Sequence, residues 1–252
     1  MMNSTNTHWQ WYKDFFKVTV FRYLITWFAI VPFFVKALDS IPKKVMFQTA
    51  PNVQIPINIE MPFHWQLLWL SSLAFVLSFA LYKIFCPGFI TKYPNYSKYL
   101  KYNHSPRWIV WESSKLISKN FEKSKFLERL MEKDYLVKSE SSVTNPDKSP
   151  IIGTFQTVLY LNHNNETYEL GMPILHSSPA ESEQVTMVAE KEIFWEIFGR
   201  YARSWPTVRL IVMILLFISL GLFLWVLIEN IYAGLEFVCD WLTNEEIDST
   251  SI

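Results

Sequence analysis

Three runs of 21 residues, Val18 to Leu38, Trp65 to Phe85 and Val208 to Ile228, are each apolar and long enough to reach across a lipid bilayer. At a rise of about 1.5 Å per residue, a helix of that length covers about 31 Å, against a hydrocarbon core of about 30 Å. The sequence therefore predicts an integral membrane protein with three transmembrane helices. A composition of 50% hydrophobic and 17% aromatic residues agrees with that class. The first run has a competing reading as a cleaved signal peptide, since Lys13 and Lys17 precede it. Its length, its bulky aromatics and the want of a small-residue cleavage site after it favour a retained helix. Pro32 inside this run predicts a kink.

Lysine and arginine near the ends of the spans set the orientation. The polar stretch after the second span opens with Lys92, Lys98, Lys101 and Arg107 and closes with Lys191, Arg200, Arg203 and Arg209, so it is expected in the cytoplasm. The predicted order is a cytoplasmic N-terminus (1–17), helix 1 (18–38), an outer loop (39–64), helix 2 (65–86), a cytoplasmic domain (87–206), helix 3 (207–229) and an outer acidic tail (230–252). Within the tail, "IYAGLEFVCDWL" is too short to span and is expected to form an interfacial amphipathic turn. Cys86 and Cys239 then lie on opposite sides of the bilayer, too far apart for a disulfide.

In the outer loop, "NVQIPINIE" alternates apolar and polar positions, as an extended or edge strand does; an irregular connector is the alternative. The segment from Pro87 to Pro206 is large enough for a compact domain. It begins with tyrosines and tryptophans among lysines, and Lys92, Lys98, Lys101, Arg107 and Trp108 form a basic and aromatic group suited to lipid headgroups. The same mixture suits base stacking. Proximity to the bilayer favours the interfacial reading, and equal counts of 23 basic and 23 acidic residues leave no global field to gather nucleic acid.

A helix is expected from Trp108 to Leu136, with a solvated face of alternating charge. A loop follows, and then "IIGTFQTVLYLNHNNETYELGMPIL" reads as a hairpin with a longer turn around Asn162 to Asn165. The hairpin must pack on helices or pair with another chain, which makes the domain α+β. The last helix of the domain starts near Ser182 and ends near Pro206. Phe194, Ile197, Phe198 and Tyr201 belong to its broad apolar face, while Glu190, Glu192, Glu196 and Arg200 populate the rest. Because Pro206 adjoins the third span, this helix either couples the domain to the membrane or merely covers the hairpin.

No metal-ligand spacing, phosphate-binding glycine loop or nucleophile elbow is present, and the five histidines are scattered. The expectation is a protein without catalytic activity and without a cofactor. Ionisable groups within spans carry more meaning. Lys36 and Glu229 occupy similar depth at the outer ends of helices 1 and 3 and form a candidate ion pair, with independent snorkelling of Lys36 as the alternative. On helix 2, Ser71, Ala74 and Ser78 make a stripe of small residues that another helix can approach closely.

Two N-terminal spans, the domain from Pro87 to Pro206 and the last span "VRLIVMILLFISLGLFLWVLI" give an architecture that resembles the membrane effectors or membrane subunits of bacterial antiphage defence systems, including retron-associated and Kiwa-type membrane proteins. The resemblance covers the whole chain, rests on architecture and carries over no functional residue. It implies a role in antiviral defence at the bacterial inner membrane. The expected function is a multi-copy inner-membrane protein whose cytoplasmic domain binds a partner encoded nearby and either perturbs the membrane as an effector or anchors that partner. The expected partners are thus the bilayer, further copies of the chain and a cytoplasmic protein. The alternative is an immunity protein that binds the transmembrane part of a toxin.

Overall fold

The computed structural model describes residues 8–39, 44–50, 53–58, 64–139 and 149–249. The fold is mostly helical, with two small antiparallel sheets. Helix α1 (Trp9–Phe16) is followed by α2 (Thr19–Asp39), the strands β1 (Lys44–Ala50) and β2 (Val53–Asn58), and α3 (Trp65–Phe85). Two short helices, α4 (Gly88–Lys92) and α5 (Tyr96–Leu100), lead to α6 (Trp108–Ser118) and α7 (Lys123–Glu132). The strands β3 (Val137–Lys138), β4 (Ile151–Ile152), β5 (Thr157–His163) and β6 (Glu166–Met172) precede two long helices, α8 (Pro179–Arg203) and α9 (Pro206–Ser249). The chain forms two compact units, one from Asp14–Phe85 with Thr207–Ile252 and the other from Met1–Lys13 with Cys86–Pro206.

In the first unit, two helices among the described residues are long and apolar enough to cross a membrane, Trp65–Phe85 and Pro206–Glu236, with mean hydropathies of 1.8 and 3.0. The expected first span is one helix, which continues through Pro32. Val31, Leu68 and Val226 form a buried cluster that joins α2, α3 and α9. Phe28 stacks on Trp69 with centroids 5.7 Å apart. The loop expected at 39–64 holds a hairpin: β2 covers the predicted strand, and Pro56 pairs with Met46 of β1. A two-stranded sheet has only edges, so a residue without an N–H is tolerated there.

The tail differs from its prediction. No turn separates residues 230–249 from the third apolar run; α9 continues as one helix of 44 residues. At about 1.5 Å per residue that is about 66 Å, twice the thickness of a hydrocarbon core. The stretch after Ile228 contains no proline to break the helix, and Gly234 lies within it.

The second unit is built on α8. Its Ala189, Ile193, Phe194, Ile197 and Tyr201 are fully or nearly fully buried, and α8 packs on α4, α5, α6 and α7. The single helix expected over 108–136 is two helices. Asn120 and Glu122 take left-handed φ values of 54° and 50° and turn the chain between α6 and α7; asparagine tolerates this region better than most residues. Charges on α7 and directly after it face partners on α8: Lys133 pairs with Glu192 at 3.1 Å and with Glu196 at 3.4 Å, and Arg129 with Glu196 at 3.5 Å.

The sheet runs β3-β6-β5-β4, and it is α6 that packs against β5 and β6. The predicted longer turn is a tight one of two residues. His163 pairs with Glu166, and Asn164 and Asn165 both have positive φ, 51° and 63°. That is the twist a type I′ hairpin needs, and asparagine supplies it at low cost. A further element was not expected from sequence. In α1, Trp9 and Tyr12 are fully buried, and the Trp9 indole donates to the Ser204 carbonyl at 3.0 Å. Lys13 donates to the carbonyls of Ile90 and Thr91 at 3.0 and 2.7 Å.

Candidate functional site

A cleft of about 900 Å³ lies in the second unit beside α5 and α8. One wall is a strap, residues 173–177, which follows β6. Polar side chains at every fourth position of α8 hold it. Ser182 Oγ accepts from the His176 N–H at 2.8 Å, and one turn on, Thr186 Oγ1 accepts from the Ile174 N–H at 2.9 Å. With its backbone secured in this way, the strap gives Pro173 and Leu175 to the cleft opposite Leu100 and Met187. The walls are mainly apolar.

One further turn along α8 stands Glu190, a buried carboxyl that also lines the cleft. The Tyr99 hydroxyl donates to its Oε1 at 2.8 Å. Asn95 fixes the start of α5 by accepting from the Lys98 N–H at 2.8 Å, and so sets Tyr96 and Tyr99 one turn apart, with their rings stacked. The Tyr96 hydroxyl is buried and has no hydrogen-bond partner. Burial raises the pKa of Glu190, with the Tyr99 hydrogen bond opposing, so its neutral form is favoured more than usual. Burial and the facing carboxyl hold the Tyr99 phenol protonated. An apolar cleft whose lining includes Glu190 and Tyr96 can hold an apolar group that also offers a polar contact.

A second hollow, of about 360 Å³, is lined by Lys92, Lys115 and Lys119 together with Trp108, Glu112 and Tyr201. Lys92 and Lys115 lie over the Trp108 ring at 5.9 and 5.1 Å from its centroid, and Lys119 lies 6.0 Å from that of Tyr201. Nearby, His104 stacks on Trp108 and meets the Tyr93 hydroxyl at 2.9 Å; burial lowers its pKa.

The basic and aromatic group expected at the headgroups is thereby divided. Lys92 and Trp108 line this hollow, and Lys98 and Lys101 are exposed. Arg107 donates to the carbonyls of Gly153 and Thr154 at 3.2 and 2.8 Å and ties the β4–β5 connection to the start of α6. Of the proposed coupling residues, Phe194, Ile197 and Tyr201 are buried in the unit's core. Phe194 sits among Phe89, Tyr96, Tyr99 and Phe198 with centroid distances from 5.2 to 6.0 Å. Pro206 opens α9 directly after Trp205, which takes a left-handed φ of 51°.

In the first unit, Ser71, Ala74 and Ser78 are buried. Ser71 donates to the Ser219 carbonyl at 2.8 Å and Ser78 to that of Val212 at 3.2 Å, so the stripe carries hydrogen bonds to α9. Glu229 has partners that the sequence reading did not name: His64 Nδ1 at 3.2 Å and the Trp225 indole at 2.9 Å. Lys36 is exposed near the end of α2. Cys86 is buried and Cys239 is exposed.

Glu190, Tyr96 and Tyr99 were missed as site residues. A signal for the first was present. Glu190, Phe194, Ile197 and Tyr201 follow at intervals of four, three and four, so Glu190 lies on the apolar stripe of α8 and not with the solvated charges. Among the described residues, no group of three or more His, Cys, Asp or Glu is placed to hold a metal. No family model matches this chain, and neither a curated protein nor a solved structure matches it.

Proposed function

We propose that this chain is a multi-pass protein of the bacterial inner membrane, acting in several copies, whose cytoplasmic domain seats an apolar segment of a partner protein in the cleft beside α8. The observation that carries the reading is the cleft itself: apolar walls, a secured strap and a lining that includes Glu190 and Tyr96. A peptide segment provides both apolar side chains and the N–H donors that such a lining accepts. The domain is a binding module and not an enzyme. It is held at the membrane by α2, α3 and α9 as three spans, with the N-terminus inside and the end of α9 outside.

Support for the lipid surroundings comes from the apolar side chains that α2 and α9 leave open, including Phe33, Phe34, Phe217, Trp225 and Ile228. A surface of this kind calls for lipid or a protein partner. The resemblance to antiphage membrane proteins assigns the work: perturbing the membrane, or anchoring the partner there. An immunity protein would need a small-residue stripe free to receive a toxin helix. Ser71 and Ser78 already donate to α9, which favours the effector or anchor.

The test is membrane potential in bacterial cells, followed with a voltage-sensitive dye during expression of the chain alone and with its genomic neighbours. Depolarisation that a neighbour alters, and that Met187→Arg at the cleft uncouples from that neighbour, is the expected outcome for an effector. For an anchor, the potential stays constant and Met187→Arg releases the neighbour from the membrane fraction. If Met187→Arg changes neither the potential nor the location of any neighbour, the cleft is not the partner site.

A further inference from the structure

We propose that the hollow between Lys92, Lys115 and Lys119 binds a phosphate group, either on a lipid headgroup or free. The inference is independent of the partner cleft. Three ammonium groups line one concavity of about 360 Å³ with a single carboxylate, Glu112. That carboxylate is already engaged, because Lys115 donates to it at 2.9 Å. Among the described residues neither Lys92 nor Lys119 forms an ion pair, although Glu112 lies near enough to favour the charged form of Lys92, and both lie back over aromatic rings, Lys92 over Tyr93 and Tyr102 at 4.9 and 4.8 Å and Lys119 near Tyr201. The hollow therefore carries an excess of two positive charges.

Lys92, Lys115 and Lys119 are themselves exposed at the rim of the hollow, and bringing like charges together there costs free energy that a counter-ion recovers. The rings also keep the lysine stems in place, so less side-chain entropy remains to be lost when an anion arrives. An oxyanion with several acceptor oxygens suits three ammoniums better than a single carboxylate, which points to phosphate. Glu112 sets a limit on affinity: it occupies Lys115 and repels the incoming charge. Gly88, which also lines the hollow, follows the end of α3 by three residues, and this chain proximity to an apolar helix makes a lipid headgroup a ready source.

The test is the rate of acylation of each lysine in the full-length protein, read residue by residue by mass spectrometry in phosphate-free buffer. One arm uses lipid-free protein in amphipol with added inorganic phosphate. Two further arms use nanodiscs of phosphatidylglycerol and of a phosphate-free galactolipid. Slowing of Lys92 and Lys119 by fivefold or more relative to the exposed Lys98 and Lys101 is expected. If inorganic phosphate produces it, the source is free phosphate; if phosphatidylglycerol produces it and the galactolipid does not, the source is a headgroup. Equal rates in every arm overturn the proposal. Glu112→Gln provides an arm that damage to the fold cannot imitate, because it should increase protection, lowering the half-maximal phosphate or anionic-lipid content by about fivefold. Unchanged or weaker protection in that variant also overturns it.

Discussion

The two units use the same residue types in opposite places. In the domain formed with Cys86–Pro206, the side chains packed on α8 are inside, with Phe126, Phe194, Ile193 and Ile197 all at 0% exposure, while Ile152 and Phe155 on its surface stay exposed. In the unit that holds α3 and α9, Phe33 is 77% exposed, Trp225 61% and Ile228 65%, while Ser71, Ser72, Ser78 and Ser219 are buried. Water drives the first arrangement, because burying apolar area is favourable there. Lipid removes that driving force between helices and leaves packing of small residues and hydrogen bonds to hold them together. The proposed membrane topology would account for this contrast by giving the two units different solvents.

The comparison breaks most sharply at Phe194. Phe194→Ala removes the ring at the junction of α4, α5 and α8 and should cost about 3–5 kcal/mol. Phe217→Ala, at a side chain more than half exposed, should cost less than about 0.5 kcal/mol. Urea titration of both variants in nanodiscs, with proteolytic nicking of the domain as readout, checks the difference. Comparable losses at the two positions would remove the distinction between the units.

The next largest effect is expected where serines replace leucines as core residues. Ser71→Leu inserts bulk where the Ser71 hydroxyl meets the Ser219 carbonyl at 2.8 Å, and should destabilise the α3–α9 contact by about 1–3 kcal/mol. Ser71→Ala keeps the close approach and loses only the hydrogen bond, for which membrane helices give about 0.6 kcal/mol. Denaturing-detergent titration followed by circular dichroism separates the two. If leucine is tolerated as well as alanine, close approach is not what holds these helices.

Charge makes a subtler contrast within the domain. Glu190 has its pKa raised by burial, so the folded state keeps a proton that the unfolded chain has released. Its contribution is fully present below the ordinary Glu value of about 4.3 and is lost as pH rises through the raised folded value. Glu122 is opposite: the hydrogen bond from Arg200 at 2.8 Å leads the causes that lower its pKa, so its contribution is present above the ordinary value and lost as pH falls through the lowered one. Glu190→Gln should flatten the decline in stability above the ordinary carboxylate range and leave the acid limb in place, as read by urea midpoints at a series of pH values. An unchanged alkaline limb would place the decline elsewhere.

Long-range order in this chain was legible where one physical demand dominates. The apolar runs at Trp65–Phe85 and from Val208 needed no tertiary information, because length and hydropathy alone set them. The hairpin was legible for the same local reason, through its β-prone runs, and only its turn length was misjudged. Boundaries set by a balance were not: Asn120 and Glu122 break a pattern whose periodicity continues through them, and α9 passes the point where hydropathy falls. The cleft was hidden for a different reason. Glu190 looks like one more surface charge in a helix rich in them, and its burial depends on Tyr99, which is 91 residues away in sequence. In α1, Trp9, Tyr12 and Phe16 at spacings of three and four gave a helical signal, but its short length and its place outside the apolar runs obscured it.

The smallest expected effect concerns the two-residue turn between β5 and β6. Asn164 and Asn165 both hold left-handed φ values, a conformation that costs a side chain some strain even when the residue is asparagine. Asn165→Gly gives the asparagine-glycine pair that type I′ turns favour most, but it also increases the entropy of the unfolded chain. The two terms oppose each other, so a net gain of about 0.5 kcal/mol or less is expected, measurable as a rise in the urea midpoint of the domain alone. The α3–α9 unit should show no change in its detergent titration. A shift there of similar size would mean that the two units unfold together, and each solvent-specific argument would then have to be made for the chain as a whole.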